Sequence, residues 1–111
     1  MTRQSVFKKD NNLKIFTGEI KKYFHSRLKK IILFGSRARR EHVQESDYDL
    51  ILVLDKVTKK DREFIDKLES KMLLSYYVLF STFLFDENEL ISRRFEPFVM
   101  NIQREGVTLG Q

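Results

Sequence analysis

The chain has no cysteine. That excludes a disulfide framework and any thiolate metal site. It has only two histidines. His25 stands beside Arg27 and Lys29 with no partner histidine or cysteine nearby, and it reads as a surface residue. No apolar run approaches the roughly 18 residues a membrane-spanning helix needs. The start, Met1-Thr-Arg-Gln-Ser-Val-Phe-Lys-Lys, lacks the apolar core of a signal peptide. A cytoplasmic location is the expectation. There is no internal repeat and no linker, so 111 residues predict one domain over 1–111, with residues 1 to about 10 flexible.

What is present is a charged, aromatic-rich chain: 33% charged, 41% hydrophobic, ten Phe and four Tyr. The net charge is +5, spread along the sequence rather than gathered in a tail. Lys8, Lys9, Lys14, Lys21, Lys22, Arg27, Lys29 and Lys30 load the N-terminal quarter. Such charge can attract a nucleoside triphosphate or nucleic acid, but the spacing of most of these residues fits the wet faces of helices. The aromatics fall mainly at apolar-face positions and read as core or interface.

The organising stretch runs from Lys29 to Leu54. Ile31 to Phe34 is a short apolar run stopped by Gly35, the pattern of a buried strand ended by a turn. Leu50 to Leu54 is continuously apolar, as a central strand covered on both faces would be. Gly35 allows a sharp turn and a close backbone approach to a ligand. Ser36 then opens a helix, whose free N–H groups and hydroxyl form a natural phosphate cradle. Ten residues separate Ser36 from Asp47. Asp47 and Asp49 lie two apart, so on a strand both carboxylates leave one face. Paired carboxylates repel unless a cation lies between them, and oxygen ligands so placed suit Mg2+ bridging nucleotide phosphates. The alternative is a turn cap at Ser46-Asp47 with Asp49 at a solvated strand end. Arg37 and Arg39 sit next to the cradle. Their planar donor forks suit phosphate, and a solvated helix face suits them equally.

Gly35-Ser36, ten residues, then Asp47-Tyr48-Asp49 resembles the signature of the minimal nucleotidyltransferases, relatives of the DNA polymerase β catalytic domain. Arg37-Ala38-Arg39, Ser46 to Leu50, Phe95-Glu-Pro-Phe98 and Arg104-Glu-Gly-Val107 also read like that family. The resemblance implies an α+β nucleotidyltransferase fold, with a small mixed sheet of three to four strands flanked by helices. It implies Mg2+ held by Asp47 and Asp49, and ATP held through Gly35, Ser36, Arg37 and Arg39. Arg40-Glu41 departs from the family, where a glycine often follows this helix.

Around that stretch, Asn11 or Asn12 can cap a helix to about Arg27, with Leu13, Phe16, Ile20, Phe24 and Leu28 as its apolar stripe. Strand one is expected at about Lys30–Phe34 and strand two at about Tyr48–Leu54. Thr58 is a candidate cap for a helix to about Leu74, buried along Phe64, Ile65, Leu68, Met72 and Leu73. Asp61, Glu69 and the neighbouring charges form its wet face. Strand three is expected at about Tyr76–Phe85. Asp86 to Glu89 has the form of a helix start. The single proline, Pro97, is expected to break or kink the helix that follows, and Gly106 to cap its end.

The family usually carries a third carboxylate on the strand beside the Asp-x-Asp strand. Here that strand has no acid between Ser75 and Phe85. Ser81, with Thr82 beside it, occupies the expected place, and a hydroxyl is a far weaker Mg2+ ligand and no base near pH 7. Asp86 is a substitute only if it is not a cap. Some family members lack this acid. Free-standing members of this size resemble the antitoxin half of a toxin–antitoxin pair, whose partner is an all-helical HEPN ribonuclease. The expected function is transfer of AMP from ATP to a hydroxyl of that protein. The alternative is a transferase fold that neutralises a partner by contact alone. An antibiotic-modifying enzyme would need a further helical domain. Nucleic acid is not the expected substrate, and a homo-oligomer is left open.

Overall fold

The computed structural model describes residues 10–35 and 47–109. The first helix, α1, spans Asn11–Phe24, and its cap is Asp10, whose carboxylate accepts from Leu13 N–H. Leu13, Phe16, Ile20 and Phe24 are its buried stripe, as their spacing predicts. The helix ends three residues before the expected Arg27. His25 takes a positive φ of 50° and a short 3-10 turn, His25–Arg27, redirects the chain. Strand β1, Leu28–Phe34, therefore begins two residues early.

Strand β2 is Asp47–Leu54 and α2 is Lys59–Tyr76. Thr58 caps α2 in a reciprocal arrangement: its hydroxyl accepts from Asp61 N–H, and the Asp61 carboxylate accepts from Thr58 N–H. Asp61 is thus not on the wet face. It is 1% exposed and forms a two-pronged ion pair with Arg27. Burial alone would raise its pKa, but the bonds from Arg27 and Thr58 outweigh that and hold the carboxyl below the ordinary range. Glu69 also leaves the expected wet face. It turns in toward Thr82, and burial pushes its carboxyl up. Leu73 is exposed rather than part of the stripe.

Strand β3 is Leu79–Asp86, three residues later than Tyr76. The helix outruns the β-forming side chains at its end, because Tyr77 closes it in the left-handed conformation with its N–H on Leu73 O. Asp86 caps the short helix α3, Glu87–Ser92, accepting from Glu89 N–H at 2.7 Å. Pro97 does not break a helix. It opens α4, Pro97–Glu105, at the first turn, where a missing N–H needs no partner. Gly106 follows in an extended rather than left-handed conformation. Its requirement is space: a Cβ there would stand 2.5 Å from Ile102 O and 2.6 Å from Ile32 Cγ2. A two-residue strand, β4, Val107–Thr108, completes the sheet.

The sheet order is β3-β2-β1-β4, with β2 and β3 parallel and the other pairs antiparallel. This is the mixed sheet the resemblance implies. β2 alternates between two buried faces. Tyr48, Leu50, Leu52 and Leu54 join α1 and α2 in the larger core with Phe16, Phe80 and Met72. Ile51 and Val53 pack with Phe85 and Ile102 under α4. Full burial of each large apolar side chain favours folding by roughly 1.5–3 kcal/mol, so the larger core fixes β2 and the ends of that strand inherit its position.

A carboxylate pair against a glycine turn

Asp47 and Asp49 open β2, and both leave the face that Ile51 and Val53 continue. Asp47 is exposed and Asp49 half-buried. Across β1, Phe34 pairs with Asp49, which brings the next residue, Gly35, alongside that carboxylate. Gly35 has a φ of +79°, and a Cβ on it would lie 2.6 Å from Asp49 Oδ2. Only glycine fits both the conformation and the space. Burial, and then repulsion from Asp47, push the Asp49 carboxyl up. Negative charge here is uncompensated by the described residues, and a cation would relieve it.

Tyr48, between the two acids, points the other way. It is buried, stacks on Phe80 with ring centroids 4.6 Å apart, and donates its hydroxyl to the Asp10 carboxylate. The carboxylate end of β2 is thereby pinned to the cap of α1. Sequence reading missed this link, although an acid at the start of the apolar stripe and a tyrosine inside the Asp-x-Asp motif were the available signals.

The parallel register sets Asp47 opposite Leu79 and Asp49 opposite Ser81. Paired residues share a face, so Ser81 stands beside Asp49 on the same side of the sheet. Asp86 pairs with Leu54 at the other end of the strand, about 16 Å from Ser81 at ~3.3 Å per residue, and its side chain serves as the α3 cap. It is not a substitute ligand. Among the described residues no group of three or more His, Cys, Asp or Glu could hold a metal. The two carboxylates suit a divalent ion whose remaining ligands come from phosphate and water. Ser36, Arg37 and Arg39 lie outside the described residues.

Gly35 also lines a groove of about 210 Å3, with Phe34, Phe98, Asn101, Ile102 and Glu105. It adjoins the carboxylates through Gly35 rather than containing them. Asn101 and Glu105 were not singled out from sequence; they share the α4 face with Phe98 and Ile102 at helical spacing. Among the described residues no helix is long and apolar enough to cross a membrane.

Residues 18–109 match the family described as "Polymerase beta, Nucleotidyltransferase". Two proteins of Methanocaldococcus jannaschii, named as candidate protein adenylyltransferases MJ0604 and MJ0141, are similar along almost their whole length. The first is 35% identical over 98 residues, covering 87% of this chain and 93% of the relative. The second is 33% identical over 96 residues, covering 86% and 92%. The fold is shared with a toxin–antitoxin crystallised with AMP-PNP (TM-score 0.58, 20% identity, 90% of this chain and 73% of that one). It is shared too with a mutant form of the toxin–antitoxin MntA-HpeT (TM-score 0.56, 16% identity, 90% and 73%). Enzymes of this family generally use divalent metals. The chain belongs to the polymerase beta nucleotidyltransferase family.

Proposed function

We propose that this nucleotidyltransferase moves AMP from Mg2+-bound ATP to a hydroxyl of a protein acceptor, and that the acceptor is a HEPN-type helical toxin for which this chain is the antitoxin. The observation that carries the reading is the Asp49 carboxylate packed against a left-handed Gly35, with Asp47 on the same face. The names of the two relatives as protein adenylyltransferases support the acceptor class.

Asp47 and Asp49 would hold Mg2+, which would neutralise charge on the triphosphate and on the departing pyrophosphate. The Gly35 turn lets the chain come close to the outer phosphates, with Ser36, Arg37 and Arg39 as the proposed phosphate contacts. The acceptor oxygen bonds to the α-phosphorus, the bond to the bridging oxygen of pyrophosphate breaks, and the acceptor proton passes to solvent. Ser81 cannot take that proton near pH 7. That favours slow turnover, and it is the observation behind a second reading, in which the chain neutralises its partner by contact with little chemistry.

The reaction type is tested with ATP labelled at the α- or the γ-phosphate, Mg2+ and a purified HEPN-family protein from the same genome. Label from the α position alone is expected on the partner. Label from the γ position would make the reaction phosphoryl transfer and overturn the proposal.

A further inference from the structure

The surface changes character at the junction of α2 and β3. In a chain one-third charged, residues 72–85 carry no charge at all. Several of their side chains face solvent. Tyr77 is 85% exposed and Leu74 78%, with Tyr76 and Leu79 also exposed. Tyr77 is left-handed, φ 57°. It closes α2 at a position where glycine is the favoured residue, since glycine carries no Cβ penalty there. Its ring is almost wholly in solvent. The side chain therefore stands there at a conformational cost without matching burial in the fold. Such a mismatch points to a contact outside the chain.

The register decides what lies beside this rim. Leu79 pairs with Asp47 and Ser81 with Asp49, so the rim stands at the carboxylate end of the sheet and Leu79 shares the Asp47 face. The β1 side of the carboxylates is occupied by the Gly35 turn. Among the described residues the β3 side is where an acceptor can enter. Its hydroxyl must come within about 3–3.5 Å of the phosphorus it attacks, so a protein that carries it must rest on the adjoining surface. A nucleic-acid acceptor would require Lys or Arg for its phosphates, and residues 72–85 include none. A small-molecule acceptor would require a concave site, whereas this surface is a projecting helix end.

Resting on the proposed transfer to protein, we infer that Leu74, Tyr76, Tyr77 and Leu79 form the docking surface for the acceptor protein. It takes an apolar, aromatic-compatible face of that protein and delivers the hydroxyl over β3 to the carboxylate pair. Tyr and Leu anchors beside the reactive centre fit the way protein interfaces concentrate their binding energy.

The test uses the full chain with the substitutions Tyr77→Gly and Leu74→Lys together. Both positions are exposed, and glycine suits the left-handed backbone, so thermal stability should hold or rise. Mg2+–ATP affinity should stay within about twofold, while affinity for the purified HEPN-family partner falls about tenfold or more. The KM for the partner in α-label transfer should rise to match, with kcat kept. Partner affinity and KM equal to wild type overturn the inference. So does a wild type that binds no partner, or one whose own dimer, seen by sedimentation, is lost in the variant, which would make the rim a self-association surface. Failure of the transfer reading looks different: wild type forms a complex that the variant loses, and neither labels the partner. In that case the docking surface stands.

Discussion

The carboxylate of Asp49 occupies the space that a side chain on residue 35 would need: a Cβ on Gly35 would meet Asp49 Oδ2 at 2.6 Å. Gly35→Ala must therefore displace the carboxylate and strain a backbone at φ +79°. The strain should cost about 1–3 kcal/mol. A displacement near 1 Å at a reacting centre should slow transfer on the order of a hundredfold. Thermal melting and a Mg2+–ATP titration check the two effects separately. An alanine variant with normal nucleotide affinity would mean that Gly35 does not border the site.

Ser81 faces the Asp49 side of the sheet from the neighbouring strand. Ser81→Asp should add a third oxygen donor and tighten Mg2+ binding, measured by calorimetry in the presence of a non-hydrolysable ATP analogue. Unchanged affinity would show that the third ligand position of the fold is elsewhere.

Tyr48 holds the strand between the two acids through its bond to Asp10 and its stack on Phe80. Tyr48→Phe keeps the ring and removes one hydrogen bond, which should cost about 1 kcal/mol of stability. Mg2+ affinity should fall as well, because the end of β2 then loses its hydrogen-bonded link to the cap of α1. Urea unfolding and metal titration give the two numbers.

Two acids of α2 set opposite pH trends. Asp61 has its pKa held below the ordinary range, net of burial, by Arg27 and Thr58. Its contribution is present above the usual carboxylate pKa and is lost as pH falls through the lowered folded value. Glu69 is pushed up by burial. Its neutral form is favoured in the fold, so stability is lost as pH rises through that raised value. Asp61→Asn should lower stability at pH 7 and flatten the acid limb. Glu69→Gln should raise stability at pH 7 and leave that limb in place. Urea midpoints from pH 3 to pH 8 check both.

Much of this arrangement was legible before the structure. The glycine turn and the carboxylate pair stood out because each is a local pattern: an apolar run with a stop, and a two-residue period on a strand. The apolar stripe of α1 was legible for the same reason. What periodicity could not reveal was where a helix hands over to a strand. Tyr76 begins the run of β-forming residues, yet the hydrogen bonds of α2 carry through it until Tyr77 turns left-handed. Nor could it show that Asp61 folds back onto its own cap and onto Arg27, 34 residues away. The strand β4 is two residues long and exists only because Leu33 and Ile32 offer a free edge. Pairings such as Asp49 with both Phe34 and Ser81 are tertiary facts that no local spacing encodes.

The most direct test of the central claim compares wild type with Asp47→Ala, using α-labelled ATP, Mg2+ and the purified HEPN-family partner. The account predicts label on the partner with wild type and none with the variant, while both still form the complex. Equal labelling by the variant would contradict the assignment of the carboxylate pair as the metal site.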